Sequence, residues 1–508
     1  MLARVLTAST LGIDAFQVMV EVDISRGLPS FSTVGLPDNA VKESKDRVRS
    51  AIKNSGYNLP AKKITVNLAP ADIKKEGTTF DLPVAVGILK AEGVVTAEDL
   101  EDYLILGELS LDGGIRPARG ALSVAVLARN TGKKLVLPVE NRSEAAIVDG
   151  AEVYGVASLS ELIEFINGNA ALAPFRTDSA ARFSDRAETQ LDISDVRGQE
   201  HVKRVLEVAA AGGHNVLMIG PPGSGKTMLA KRFPTILPDM TLEEAIETTK
   251  IHSVAGALET GSALVAERPF RSPHHTISDA GLIGGGRVPR PGEVSLAHNG
   301  VLFLDELPEF RKNVLEVLRQ PLEDGKVTIA RAAMSLTYPA DFMLIGAMNP
   351  CPCGFFGDAH KECVCTPMQV LHYRSKISGP LLDRIDIHCE VPAVRFKELS
   401  GERSGEGSGA IKKRVDAARR VQAERFAGSA IHSNSQLPAR LMKKHCALKA
   451  DATRLIEKAV ERLGLSARAY TRVLKVARTI ADLDGAADIG PQHLSEAIQY
   501  RSLDRQLV

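Results

Sequence analysis

From Phe16 to Ile24 apolar residues recur at every second position: Phe16, Val18, Val20, Val22 and Ile24. That period of two predicts a β-strand with one buried face. Ile64–Leu68 and Leu104–Leu106 read as further strands, and Ala121–Arg129 as a helix, so residues 1–170 mix short strands, glycine turns and helices. Residues 171–191 are polar and lack periodicity, which predicts a linker. From about Asp192 short apolar runs alternate with helical stretches, the pattern of an α/β domain over residues 192–394. Asn215–Ile219, Val301–Leu304 and Phe342–Met348 are its strand-like apolar runs. Gly401–Gly409 is rich in Gly and Ser and predicts a flexible loop. The rest of residues 395–508 reads as helices: Ile411, Val415, Ala418 and Val421 share one face, as do Leu455, Ile456, Ala459, Val460 and Leu463. No internal repeat is present.

Composition narrows the picture. At roughly 100–200 residues per domain, 508 residues make about three domains. The 44% hydrophobic and 25% charged residues exclude wholesale disorder and a membrane-embedded body. Lys+Arg number 63 against Asp+Glu 62, so any contact with nucleic acid must come from local patches rather than a global basic field. With no Trp and 4% aromatic residues, base stacking is a poor handle, and the sugar-phosphate backbone is the better one. Four of the six Cys lie within residues 351–365, which is no secreted disulfide framework. No apolar run is long enough to cross a bilayer, and the first residues read as a strand rather than a signal peptide. The expected location is the cytosol, with reduced thiols and no membrane partner.

Candidate chemistry starts at Gly220-Pro221-Pro222-Gly223-Ser224-Gly225-Lys226-Thr227, which follows one strand and opens a helix. This is the P-loop pattern in its required setting. The glycines let backbone N–H groups curl around phosphate, Lys226 offers charge to the β- and γ-phosphates, and Thr227 offers a hydroxyl to Mg²⁺. The strand Val301–Leu304 ends in Asp305 and Glu306. Asp305 would hold Mg²⁺, and Glu306 would orient and deprotonate the attacking water. Asn349, after the third strand, offers an amide to the same water.

These residues resemble the AAA+ ATPases, with Walker A at 220–227, Walker B at 301–306 and sensor 1 at Asn349. Gly379–Asp386 resembles the stretch that carries the arginine finger, which implies that Arg384 acts on a neighbouring subunit's ATP. A forked, planar guanidinium suits spread phosphoryl charge. In the helix opened by Ser466, resemblance implies Arg468 as sensor 2, with Arg472 as the alternative. The segments Arg268–Ser278, Gly284–Arg287 and Pro291–Ala297 lie in the long interval between the two Walker motifs. They look like the magnesium-chelatase branch, and more closely the ComM/YifB proteins. That likeness implies a helix-2 insert and, at Gly325–Arg331, a pre-sensor-1 hairpin, both facing a ring's central pore. Lys326, Arg331, His274, His275 and Arg287 are the candidate DNA contacts. Lys326 and Arg331 are expected on one face of the strand, with Val327 and Ile329 between them.

Residues 1–170 are similar to the ChlI-type domain that precedes the core in that family, whose fold is like the Lon protease proteolytic domain and ribosomal S5 domain 2. The match runs through Lys75-Glu76-Gly77, Gly107–Gly113, Arg116-Pro117 and Leu135–Asn141. The Lon pattern needs a Ser and a Lys where this chain has Thr79 and Leu122. Leucine cannot accept a proton, so a non-proteolytic domain is expected. The fold class is therefore α/β: an AAA+ P-loop core with a helical lid, preceded by an α+β Lon-protease-like domain.

Cys351-Pro-Cys353 and Cys363-Val-Cys365 offer four soft ligands in one loop, which suits a structural, tetrahedral Zn²⁺; His360 and His372 could replace a thiolate. The resemblance implies a cytosolic, Mg²⁺-dependent ATPase that assembles as a homo-hexamer. It would move along single-stranded and branched DNA, driving branch migration in recombination and natural transformation. A chelatase-type motor subunit for metal insertion and an ATP-gated protein loader are the alternatives.

Overall fold

The computed structural model describes every residue except 76, 178–190, 259–262, 287–288, 332–333, 359–360, 395–404, 430 and 502–508, and the side chains of 331 and 334. The chain divides into two compact units, Met1–Arg186 with Leu242–Ala266, and Ala187–Thr241 with Glu267–Val508.

In the first unit the period-two segment is the strand Asp14–Ser25, with Val18, Val20, Val22 and Ile24 buried as the alternation requires. It pairs antiparallel with Leu2–Leu11 and with Lys63–Ala69, and Ser30–Val34 completes a four-stranded sheet. The helix Asp81–Ala91 is apolar nearly all round and buried nearly all round. Three parallel strands, Tyr103–Ile105, Lys134–Pro138 and Val153–Val156, form a second sheet beside the helix Ala121–Thr131. Leu122 is fully buried, and Thr79 is half-buried. The linker expected from residue 171 begins later. The backbone N–H of Phe175 donates to Val153 O at 2.7 Å, and Arg142 lies 4.7 Å from the Phe175 ring, so these residues pack on the unit.

Leu242–Ala266 also belongs to this unit, although it lies inside the stretch that reads as ATPase core. Ala263 is buried in the cluster formed by Leu104, Leu122, Val124, Leu135 and Leu137, and Ile246 and Leu264 pack against that cluster.

The second unit is built on a five-stranded sheet in the order Phe270–Arg271, Val301–Leu304, Met343–Met348, Val216–Ile219, Ile387–Glu390, with every neighbouring pair parallel. Val301–Leu304 and Val216–Ile219 have no polar position because both faces are covered. The carboxyl ends of these strands carry the candidate site. Helices Ser408–Arg425, Ala450–Leu463, Ala467–Leu483 and Pro491–Gln499 form the lid, and Ile411, Val415, Val473 and Ile480 join the core of the sheet's helices. Helix starts at Ser408, inside the segment that reads as loop, because Asp192 accepts hydrogen bonds from the Ser408 backbone at 3.1–3.2 Å and fixes that end. Among the described residues no helix is long and apolar enough to cross a membrane.

Candidate nucleotide site and cysteine centre

Val216–Ile219 stops at Gly220, where a Cβ would lie 2.0 Å from Val391 O, so only glycine passes. Gly223 and Gly225 have φ of 76° and 92°, the left-handed region open to glycine, and the loop curls before the helix Lys226–Arg232 begins. The Lys226 amine folds into the loop, donating to Gly220 O at 2.7 Å, Pro221 O at 2.9 Å and Asn349 Oδ1 at 3.3 Å. Burial lowers its pKa, while Asp305 and Glu306 pull the other way. Thr227 Oγ1 donates to Asp305 Oδ2 at 2.7 Å. A hydroxyl and a carboxylate in contact beneath a P-loop fit the two oxygens a Mg²⁺ ion takes there.

Glu306 has φ of 51°, unusual for a side chain larger than glycine, and its carboxylate is 60% exposed. His275 Nδ1 stands 3.8 Å from Glu306 Oε2, and the His275 ring lies 4.1 Å from that of His274. Of these two histidines, read from sequence as DNA contacts, His275 lies beside the Walker B carboxylate and His274 packs on His275. The reason is that their loop follows Phe270–Arg271, the strand paired with Val301–Leu304.

Lys326 is exposed at the start of the hairpin strand Lys326–Arg331, paired with Met334–Pro339 in unbroken register from Lys326↔Pro339 to Arg331↔Met334. Lys326 and Thr328 share the exposed face of the strand, and the side chain of Arg331 lies outside those described. Arg287 lies outside the described residues. The insert hairpin of Gly284–Gly285 and Arg290–Pro291 touches this ribbon: Tyr338 donates to Pro289 O at 2.7 Å.

Arg384 is held within its own chain. Its side chain is only 6% exposed, ion-paired with Glu323, and it donates to Pro380 O at 2.6 Å. It is thus withheld from any neighbour in this conformation. On either side of it, Asp383 lies 3.6 Å from Arg468, which is 63% exposed, and Asp386 pairs with Arg472. Asp386 is buried and also 3.4 Å from His214. Burial alone would raise its pKa, but Arg472 and His214 hold it well below the usual carboxylate range. Arg472 is held in this joint, whereas Arg468 stands mostly exposed beside Asp383. Nothing in the sequence pattern signals either pairing. Gln199 is another residue that sequence reading misses. It has φ of 59° and bonds Ser224 O at 3.4 Å and Pro392 O at 2.5 Å, bracing the P-loop; an uncapped Gln before a helix is the faint signal.

The four cysteines converge, with all four sulfurs within 4.8 Å of one another. Cys351 Sγ is 3.3 Å from that of Cys353 and 3.7 Å from that of Cys363. A tetrahedral zinc with bonds of about 2.3 Å sets sulfurs about 3.8 Å apart, so the set fits. The N–H groups of Phe356 and Cys353 donate to Cys351 and Cys365 sulfur at 3.3 and 3.4 Å. The backbone N–H of Phe355 helps draw the Cys353 thiol down to about 6. Among the described residues neither His372 nor any other histidine joins the cluster, and His360 lies outside them. Gly354, with φ of 86°, brings this loop so close to the P-loop that a Cβ there would lie 2.5 Å from Pro222 Cδ.

Comparison with known proteins settles the lineage. The family described as "Magnesium chelatase, subunit ChlI" matches residues 192–399, "Subunit ChlI of Mg-chelatase" matches 20–141, and "Magnesium chelatase, subunit ChlI C-terminal" matches 405–501. YifB of Salmonella typhimurium is 47% identical over 509 residues, covering 100% of this chain and 98% of its own length. Competence protein ComM of Haemophilus influenzae is 44% identical over 512 residues, again 100% and 98%. The chain belongs to the ComM/YifB family. Lon protease 2 of Bacillus subtilis is 33% identical over 189 residues, 32% of this chain and 33% of its own. The ComM/YifB architecture is thus a magnesium-chelatase-like AAA+ core, with Lon-like homology in the same chain.

Proposed function

We propose that this protein is a Mg²⁺-dependent ATPase, working as a ring of identical subunits, most simply a hexamer, that moves along DNA and drives branch migration. The observation that carries the reading is the convergence of Lys226, Thr227, Asp305, Glu306 and Asn349 at the carboxyl ends of the sheet's strands. Lys226 and the P-loop amides hold the phosphates, and Thr227 and Asp305 would hold Mg²⁺, which supplies charge neutralisation between the phosphates. Glu306 takes the proton of the attacking water, and Asn349 orients that water. Arg384 leaves Glu323 to complete a neighbour's site, and Arg468 reaches the phosphates from the lid.

The link to DNA rests on kinship with a competence protein and on the paired hairpins, of which Lys326 is an exposed cation. Recombination and natural transformation are the processes in which such a motor would serve, in the cytoplasm. Zinc held by Cys351, Cys353, Cys363 and Cys365 would stiffen the loop against Pro222. The matches to chelatase subunits favour a second reading, a motor subunit for metal insertion. ATP hydrolysis measured with and without a four-way DNA junction separates them. Stimulation that fades steeply with salt supports the DNA motor, and indifference to DNA supports the chelatase reading.

A further inference from the structure

The segment Leu242–Ala266 leaves the second unit just after the P-loop helix and its following turn, Phe233–Ile236, and returns five residues before the carboxyl end of Phe270–Arg271. It lies within residues 192–399, the stretch that matches the chelatase ATPase family, yet it packs as part of the first unit.

Its two ends are held together. Arg268 Nε donates to Pro238 O at 2.6 Å, Nη2 to Asp239 O at 3.2 Å and Nη1 to Asn299 O at 2.7 Å. One guanidinium thus ties the outgoing chain, the returning chain and the residues just before the Walker B strand.

Its body is fixed inside the first unit by buried polar bonds. Ser253 Oγ accepts from the Gly120 N–H at 3.0 Å and donates to Glu144 Oε1 at 2.5 Å. Glu144 is buried and also accepts from Leu122 N at 3.1 Å and Asn141 Nδ2 at 3.2 Å. Gly120, with φ of 74°, opens the helix Ala121–Thr131, and a Cβ there would lie 3.8 Å from Val254 Cγ2. Thr249 Oγ1 accepts from Val265 N at 3.0 Å, so the outward and returning arms are joined. A buried polar contact that is fully satisfied holds one geometry, because any shift strands a donor or acceptor.

We infer that Leu242–Ala266 is a strap through which nucleotide binding at the P-loop is transmitted to the amino-terminal unit. A base clamped beside both Walker motifs and a body bonded into the amino-terminal unit are joined by the chain itself, at 241–242 and at 266–267. Movement of the P-loop helix or of the Phe270–Arg271 strand must then load the Ser253–Gly120–Glu144 joint, and a ligand on the amino-terminal unit acts in reverse. The amino-terminal unit becomes a responding part of the ATPase cycle. The inference rests on the nucleotide-site reading above and goes beyond it.

The test is amide hydrogen exchange on the full-length chain carrying Glu306→Gln, with and without ATP and Mg²⁺, alone and combined with Thr249→Val or Ser253→Ala. The expected result is protection of the P-loop together with altered exchange in Leu242–Ala255 and Ala121–Thr131, and loss of the Ala121–Thr131 response in the strap variants while P-loop protection stays. Thr249→Val is nearly isosteric, which keeps the arm informative should Ser253→Ala fold poorly. A protected P-loop with a silent amino-terminal unit would overturn the strap and leave the nucleotide site standing, as would a response that both variants transmit unchanged. An unprotected P-loop would overturn the nucleotide reading, and the strap with it.

Discussion

Thr227 and Asp305 come from opposite ends of a long sequence interval and meet hydroxyl to carboxylate at 2.7 Å. The parallel pairing of the P-loop strand and the Walker B strand with the same central strand, Met343–Met348, makes the meeting possible. In the proposed mechanism this contact divides labour between neighbours in sequence: Asp305 is held by Thr227, and Glu306 is left to act on the water. Glu306→Gln keeps the shape and removes the base. Turnover should fall by about 10²–10⁴-fold with ATP affinity retained, since that is the range a positioned general base contributes. Steady-state hydrolysis beside nucleotide binding checks this, and a variant turning over at the parental rate would show that the base lies elsewhere.

His275 faces Glu306 at 3.8 Å, so its loss should act on turnover rather than on binding. His275→Ala is expected to change kcat while the ATP KM holds, and His274→Ala to change kcat less. A shift in KM alone, measured on the purified variant, would mean that the contact does not bear on the carboxylate.

Asp386 supplies a pH signature. Its folded pKa lies below the unfolded value of about 4, so ionisation favours the fold. That stability is fully present above about pH 4 and is lost as pH falls through the folded value. Asp386→Asn leaves Arg472 and His214 without their anion and should cost about 3 kcal/mol at neutral pH. Urea unfolding should show the variant's deficit constant from about pH 5 to 8 and shrinking in stronger acid. A deficit independent of pH down to the acid limit would place the stabilisation elsewhere.

The four sulfurs should bring about one zinc per chain through purification, by analogy with closed four-thiolate sites. Because metal binding is coupled to folding of the loop, a strong chelator should lower Tm, and Cys351→Ser should do the same without added chelator. Elemental analysis that finds no metal in several preparations would reject the centre.

Much of this was legible in the chain. The buried face of Asp14–Ser25, the P-loop and the acidic end of Val301–Leu304 are local patterns, each set by period, glycine conformation or strand burial. The pairing of Arg384 with Glu323 is not local, and a motif can name an arginine without showing what holds it. The strap was hidden for the same reason: Ile246 and Leu264 look like any apolar positions until the cluster they complete is seen.

The central claim is that the hydrolytic site is shared, with Glu306 from one subunit and Arg384 from the next. Mixing two dead proteins tests it most directly. Arg384→Ala should lose about 10³-fold or more in turnover, as an arginine finger does, and Glu306→Gln is inactive for want of its base. In mixed rings some seams carry an intact Glu306 opposite an intact Arg384, so ATP hydrolysis should return on mixing. A mixture that stays as dead as its parts, or an Arg384→Ala chain that hydrolyses ATP at the parental rate by itself, would contradict the account.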